Sequence, residues 1–196
     1  TSQQPHGQSH ETTLAQLAAD ELGVGLDRVR VVHGDTMVTP FNLVGTGGSR
    51  AATLASGAVV GAAAAVRERV LHVASELMEI DPRDLELVDG AVVGRGAPTV
   101  RTELAEIGRL AHLRPGLANA DGRPGIEETA TFDSAEGTWS VATHACTVEV
   151  DPVTGLVRIL RYLVVGDCGA VINPAVVDGQ VRGGVAQGIG AVLFER

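Results

Sequence analysis

The sequence predicts an α+β fold, with mixed sheets and packed helices arranged as two similar lobes. Three observations carry this reading. Apolar residues recur at helical spacing over 11–22, where Leu14, Leu17, Ala18 and Leu22 share a face. Two stretches read as hairpins, Leu85 to Val93 and Thr138 to Val165. Two segments, 28–78 and 156–195, each follow an extended run with a glycine-rich turn and a helix. Helices beside local hairpins, without a repeating strand–helix alternation, indicate α+β.

Taken in order, the first helix runs from about Glu11 to Leu22. Arg28 to His33 alternates apolar and polar as a half-buried strand does. A long helix follows from Ser49 to about Met78, and its stripe of Ala51, Ala55, Ala58 and Ala62 suits close packing. Ser49 and Thr12 are the candidate N-caps. Asp89-Gly90 is a hairpin turn signal between 85–88 and 91–93. Thr102 is placed to cap a helix reaching about His112. Residues 114–125 hold three glycines, two prolines, Asn119 and Asp121, and read as a loop or mobile linker. The longest hairpin pairs Thr138–Val150 with Leu156–Val165 around an Asp-Pro-Val-Thr-Gly turn. The last helix begins near Pro174, suited to a first helical turn because its missing N–H costs nothing there. Domain boundaries follow: a first lobe over 1–113, a linker over 114–127 and a second segment over 128–196.

Composition narrows the function. Hydrophobic residues make up 44% and charged residues 20%, so most of the chain is expected to fold. A formal charge of −9 and an aromatic content of 3% argue against nucleic acid, which needs basic surface and stacking platforms. The apolar run Ala58 to Val66 ends at Arg67-Glu68-Arg69, too short to cross a membrane. No secretory leader is visible, and a cytoplasmic location is expected. Two cysteines at this spacing form neither a disulfide framework nor a zinc or iron–sulfur site. Cys146, on an apolar strand, is expected buried and inert; Cys168 lies in a turn.

Three motifs carry chemistry. Gly7-Gln8-Ser9-His10-Glu11-Thr12-Thr13 precedes the first helix, and Gly45-Thr46-Gly47-Gly48-Ser49-Arg50 precedes the long one. Both set glycine, hydroxyl and amide groups at a helix N-terminus, where unpaired N–H groups favour an anion. The second is not a P-loop, because no Gly-Lys-Ser/Thr follows. The third is the run Asp178-Gly179-Gln180-Val181-Arg182-Gly183-Gly184-Val185-Ala186-Gln187-Gly188-Ile189-Gly190. Glycine weakens a helix by about 1 kcal/mol per residue. A helix accepting so many either packs tightly on a neighbour or admits a large polar ligand, with Gln180 and Gln187 two turns apart on one face.

Together, in this order, the motifs resemble those of the molybdenum hydroxylases, the family of xanthine dehydrogenase, aldehyde oxidase and aerobic carbon monoxide dehydrogenase. The similarity extends over Val29-Arg30-Val31-Val32-His33-Gly34-Asp35-Thr36 and the Thr143-to-Asp151 strand. It implies a part of the large, molybdopterin-binding subunit. Gln8 matches a glutamine at the molybdenum end, Gly47, Gly48 and Ser49 match a loop on the pterin cofactor, and Gln187 matches a second cofactor glutamine. Gln180, Gly183 and Gly184 are supporting positions. The cofactor implied is molybdopterin with molybdenum, in the cytosine dinucleotide form of bacterial relatives; the Ala-, Gly-, Val- and Arg-rich composition suggests a bacterial source. The metal is held by the pterin dithiolene, so no protein ligand is expected.

The resemblance implies hydroxylation or oxidation of a carbon centre with water as oxygen source. The substrate would be an aldehyde, N-heterocycle, purine or carbon monoxide, and electrons would leave for iron–sulfur and flavin partners. Two departures matter. The usual Gly-Gln-Gly reads Gly7-Gln8-Ser9, and a side chain at Ser9 hinders close approach. The family's catalytic glutamate, in a Gly-x-Gly-Glu setting, has no match; Glu11 and Glu195 lack that context, so no residue is assigned as base. The chain is expected to be a piece of a larger subunit, either excised or an incomplete gene product, inactive alone and holding cofactor weakly or not at all. A phosphate-compound-binding module and a structural or oligomerisation piece remain as alternatives.

Overall fold

The computed structural model describes residues 1–119, 122–134 and 136–195, so the reading of Asp121 as loop lies outside the described residues. The chain divides into two compact units, Thr1–Ser134 and Ala135–Arg196.

In the first unit, α1 (His10–Leu22) buries Leu14, Ala15 and Ala19 and ends at Gly23. Gly23 has φ +55, and its N–H closes the helix onto Ala19 and Asp20 carbonyls. An added Cβ there would lie 2.6 Å from the Leu87 carbonyl oxygen, so glycine serves both the left-handed turn and the close approach. The long helix starts with a π-helical turn, Ala51–Ala55, and continues as α2 (Ser56–Met78). Its Val70, Val73 and Ala74 are buried against the sheet and the helices that follow.

β1 (Leu85–Val88) and β2 (Ala91–Gly94) form the expected hairpin, with Asp89 at φ +49 and Gly90 at φ +74. Two successive positive φ values fit the turn twist that two-residue hairpins need. β3 (Ala97–Glu103) adds a third antiparallel strand that sequence reading missed. It absorbs Thr102, which therefore caps nothing; α3 (Leu104–Leu113) starts after Glu103 without a side-chain cap. The run Thr99 to Thr102 has β-favouring residues, and Gly96 at φ +73 makes the turn that returns it to β2. β2 is buried along its whole length. Ile107 and Ala111 of α3 close the core over Val73, Ala74 and Val92, all fully buried.

Residues 114–119 and 122–125 are anchored. They contain a helical turn, α4 (Pro115–Ala118), followed by the buried Asn119. Asn119 donates to the Arg123 and Gly125 carbonyls at 2.6 and 2.7 Å, and accepts from Arg69 of α2 at 2.8 Å. Arg69 also donates to the Ala118 carbonyl at 3.0 Å and pairs with Glu128.

The expected strand over 28–33 is corrected. A 3₁₀ turn occupies Leu26–Arg28, and 29–33 is not assigned to a strand. Exposure still alternates along 29–33, with Val29, Val31 and His33 half-buried. The period-2 pattern was correctly read, but a strand also requires a hydrogen-bonded neighbour. Here Val32 accepts from the Thr1 ammonium at 2.9 Å, a terminal contact that does not make a ladder.

In the second unit, β4 (Val141–Val150) and β5 (Val157–Asp167) form the predicted long hairpin, with a bulge between Thr147 and Val148. Asp151 shapes the turn by accepting from Val153 and Thr154 N–H at 2.8 and 3.0 Å. α5 (Pro174–Leu193) follows, opened by Asn173. The strands are exposed over most of their length, and Val141, Val165 and Leu160 are among their open apolar side chains. Cys146 is exposed, against expectation. The α+β class stands. Both sheets are antiparallel, however, so neither is mixed.

Candidate functional site

The site begins with two loops of the first unit. Gly7 has φ +102, and Ser9, at the start of α1, is left-handed at φ +62, ψ +35. That conformation costs a non-glycine residue about 1–2 kcal/mol. The usual glycine at Ser9's position thus has a backbone reason beside the close approach. Ser9 makes no side-chain cap, and Thr12 lies inside α1, so the capping role expected of Thr12 is not found.

The second loop is built by Asn42. Its Oδ1 accepts from Val44 and Gly45 N–H, both at 3.0 Å, and this turns the chain into Gly45 at φ +60. Gly48 and Ser49 follow with φ +72 and +59. Ser49 does not cap the long helix; its first turn is π-helical and starts after Arg50, with no side-chain cap. Around Gly45, Gly47 and Gly48 an added Cβ would meet nothing within 4 Å among the described residues.

The structure joins the two loops. Gln8 donates from Nε2 to Thr46 Oγ1 at 3.2 Å, across 38 positions of sequence. Its Oε1 accepts from the His6 N–H. Thr46 is buried, while Gly47, Gly48 and Ser49 are exposed. Close by in sequence lie buried polar atoms with no partner: His10 Nδ1, Gln3 Oε1 and Arg50 Nε. Burial pushes the His10 imidazole below its ordinary pKa, and the charges of His33 and His6 act in the same direction against a Gln3 backbone bond. Glu11 faces His33, with Oε1 2.5 Å from Nε2.

The remaining predicted residues lie on α5 in the second unit, and Gln180, Gly183, Gly184 and Gln187 are all exposed. Asn173 Oδ1 accepts from Ala175 and Val176 N–H at 3.0 and 3.2 Å, so α5 satisfies its own first turn. Gly179, Gly183, Gly184 and Gly188 have open space where a Cβ would be, so close helix packing does not account for them among the described residues. Gln180 and Gly184 line an open groove of about 490 Å³ with His144, Tyr162, Cys168 and Asp178; Gly183 and Gln187 are not part of its lining. His144 Nδ1 lies 3.2 Å from the Tyr162 hydroxyl.

Sequence reading missed Thr46, Asn42 and the burial of His10. Thr46 stood inside the quoted motif, but its hydroxyl partner is 38 residues away and invisible to spacing. Among the described residues no group of three or more His, Cys, Asp or Glu side chains is placed to hold a metal ion. The donor set is amides, hydroxyls and backbone N–H groups, which suits a neutral-to-anionic polar ligand.

Comparison with known proteins names the class of the chain. The family described as "Molybdopterin cofactor-binding domain" matches residues 1–196. The chain is 41% identical over 190 residues to the nicotine 6-hydroxylase large subunit of Paenarthrobacter nicotinovorans, covering 97% of this chain and 23% of that protein. It is 31% identical to the carbon monoxide dehydrogenase large chain of Hydrogenophaga pseudoflava, covering 97% and 23%. The crystal structure of quinoline 2-oxidoreductase from Pseudomonas putida 86 superposes with a TM-score of 0.84 at 37% identity, covering 96% of this chain and 24% of that one. The chain belongs to the molybdopterin cofactor-binding domain family. It spans about a quarter of the length of the curated relatives it matches.

Proposed function

We propose that this chain supplies part of the cofactor cradle in a molybdenum hydroxylase large subunit. Gln8, Gly47, Gly48 and Ser49 would hold the cofactor in the first unit, and Gln180, Gly183, Gly184 and Gln187 in the second. The observation that carries this reading is the Gln8–Thr46 bond, which brings the first motif to the glycine-rich loop of the second, at a helix start with no side-chain cap. When bound, molybdopterin supplies the redox chemistry. The chain's own residues bind and orient it. Gln8 offers a carboxamide, Gly47 and Gly48 allow close backbone approach, and Ser49 adds a hydroxyl. The cytosine dinucleotide form fits a cradle with backbone donors to spare for phosphate.

The intact protein would oxidise or hydroxylate a carbon centre using water, pass electrons to iron–sulfur and flavin partners, and work in the cytoplasm. An N-heteroaromatic substrate is favoured over carbon monoxide. The named relatives acting on nicotine and quinoline are 41% and 37% identical, against 31% for the carbon monoxide dehydrogenase chain. No residue here is assigned as catalytic base, and Glu11 is engaged with His33. The chain alone is therefore expected not to turn over substrate, since general-base catalysis contributes about 10²–10⁴-fold. Purified alone, it is also expected to carry cofactor weakly or not at all. Metal analysis and pterin fluorescence of the purified chain, with assays on quinoline, an aldehyde and carbon monoxide, test both points. Robust turnover or stoichiometric tight cofactor would contradict them. Lack of any pterin binding on titration would count against the cradle itself.

A further inference from the structure

We propose that Thr46 is a positioning residue that fixes the carboxamide of Gln8. The inference deepens the cofactor reading and rests on it for its consequence, though not for its geometry. Gln8 bridges two partners, donating from Nε2 to Thr46 Oγ1 at 3.2 Å and accepting at Oε1 from the His6 N–H. The His6 N–H can only donate, so it selects which end of the amide is oxygen. The Thr46 hydroxyl then accepts from the nitrogen end. Its own proton remains free to point elsewhere.

A carboxamide has two N–H donors and two oxygen lone pairs. One of each is used inside the loop, which leaves one donor and one acceptor on Gln8 for a ligand. Thr46 therefore decides the direction those two groups face. It is suited to this task because it is buried, between the half-buried Gly45 and the exposed Gly47. Gln8 itself is only half-buried, so packing alone does not fix its rotamer. Without the hydroxyl, Gln8 retains its local His6 contact but loses the tie that spans 38 residues. Thr46 thus couples the two sequence motifs, so that a ligand meeting Ser49 also meets an oriented Gln8.

The test uses the chain labelled with ¹⁵N, and Thr46→Val, Thr46→Ser and Gln8→Met variants of it. The first measurement is the pair of Gln8 side-chain amide signals. The second is affinity for molybdopterin released anaerobically from a loaded molybdoenzyme, followed by pterin fluorescence. Thr46→Val should move the Gln8 amide signals toward those of a free glutamine and weaken affinity about tenfold, the effect of one hydrogen bond. Thr46→Ser should restore both. Unmoved Gln8 signals in a folded Thr46→Val chain overturn the proposal, whatever happens to affinity. If Thr46→Val does not fold, Thr46→Ser decides: wild-type amide signals uphold the proposal, and free-glutamine signals overturn it. If Gln8→Met leaves affinity unchanged while Thr46→Val still moves the Gln8 signals, the positioning role is upheld and the cofactor role of Gln8 fails.

Discussion

The two units treat their surfaces in opposite ways. The first closes its apolar core, with Val73, Val92, Ile107 and Ala111 sealed between α2, α3 and the three-stranded sheet, yet leaves the start of its long helix without a side-chain cap. The second caps its helix with Asn173 but leaves the apolar side chains of its hairpin open, Val141 and Val165 among them. Burial of apolar area stabilises a fold by about 25 cal/mol per Å². An uncapped helix start forgoes about 1 kcal/mol of local stability. The comparison teaches where each unit is committed to folding and where it keeps groups available for binding.

The largest expected effect tests the sealed core. Ile107→Ala removes a fully buried side chain and should destabilise the first unit by about 2–5 kcal/mol in urea unfolding. A loss under 1 kcal/mol would mean that the core is not closed as described.

Helix starts give the next contrast. Asn173→Ala removes two N–H contacts from α5 and should cost about 1 kcal/mol of local stability, seen as fraying by amide exchange over 175–178. Ser49→Ala makes the opposite case. Ser49 caps nothing, so the change should stay within about 0.5 kcal/mol. Equal losses at the two positions would erase the difference between the two starts.

Acid should separate the units as well. Burial holds His10 below its ordinary pKa of 6.5, so the unfolded chain binds the proton first. His10 thus favours the folded first unit above pH 6.5, and that contribution is lost as pH falls from 6.5 through the lower folded value. Asp151 in the second unit is held below 3.8 by the Thr154 and Val153 N–H groups. Its contribution persists to lower pH and disappears only as the solution is acidified through that depressed value. Probes in α1 should respond as pH falls below 6.5, and probes in the β4–β5 turn only below 3.8. His10→Gln should remove the first response; its persistence would assign it elsewhere.

The smallest effect belongs to the open hairpin. Val165→Ala, at a side chain 65% exposed, should change stability by less than about 0.5 kcal/mol.

Much of this was legible in the sequence because it is local. The 3.6-residue period of 10–22, the Asp89-Gly90 turn and the Pro174 helix start each depend on neighbours a few positions away. What escaped depends on partners far along the chain. Residues 29–33 alternate like a strand but have no ladder to join, and 97–103 joins one that its own pattern did not announce. Cys146 looked buried because its strand is apolar, yet burial requires a second layer, and strand pattern cannot say whether one is present. At the site, motif residues such as Gly47 and Gly48 could be named in advance. The Gln8–Thr46 tie and the unpartnered His10 Nδ1 emerge only when the chain is folded.

The most direct measurement is an NMR titration of the ¹⁵N-labelled chain with molybdopterin, read at individual amides. The account predicts that Gly45, Gly47, Gly48, Ser49 and the Gln8 side chain shift together with one affinity, while Val92 and Ile107 in the closed core do not move. Saturating cofactor that leaves the Gly45–Ser49 amides unchanged would contradict it.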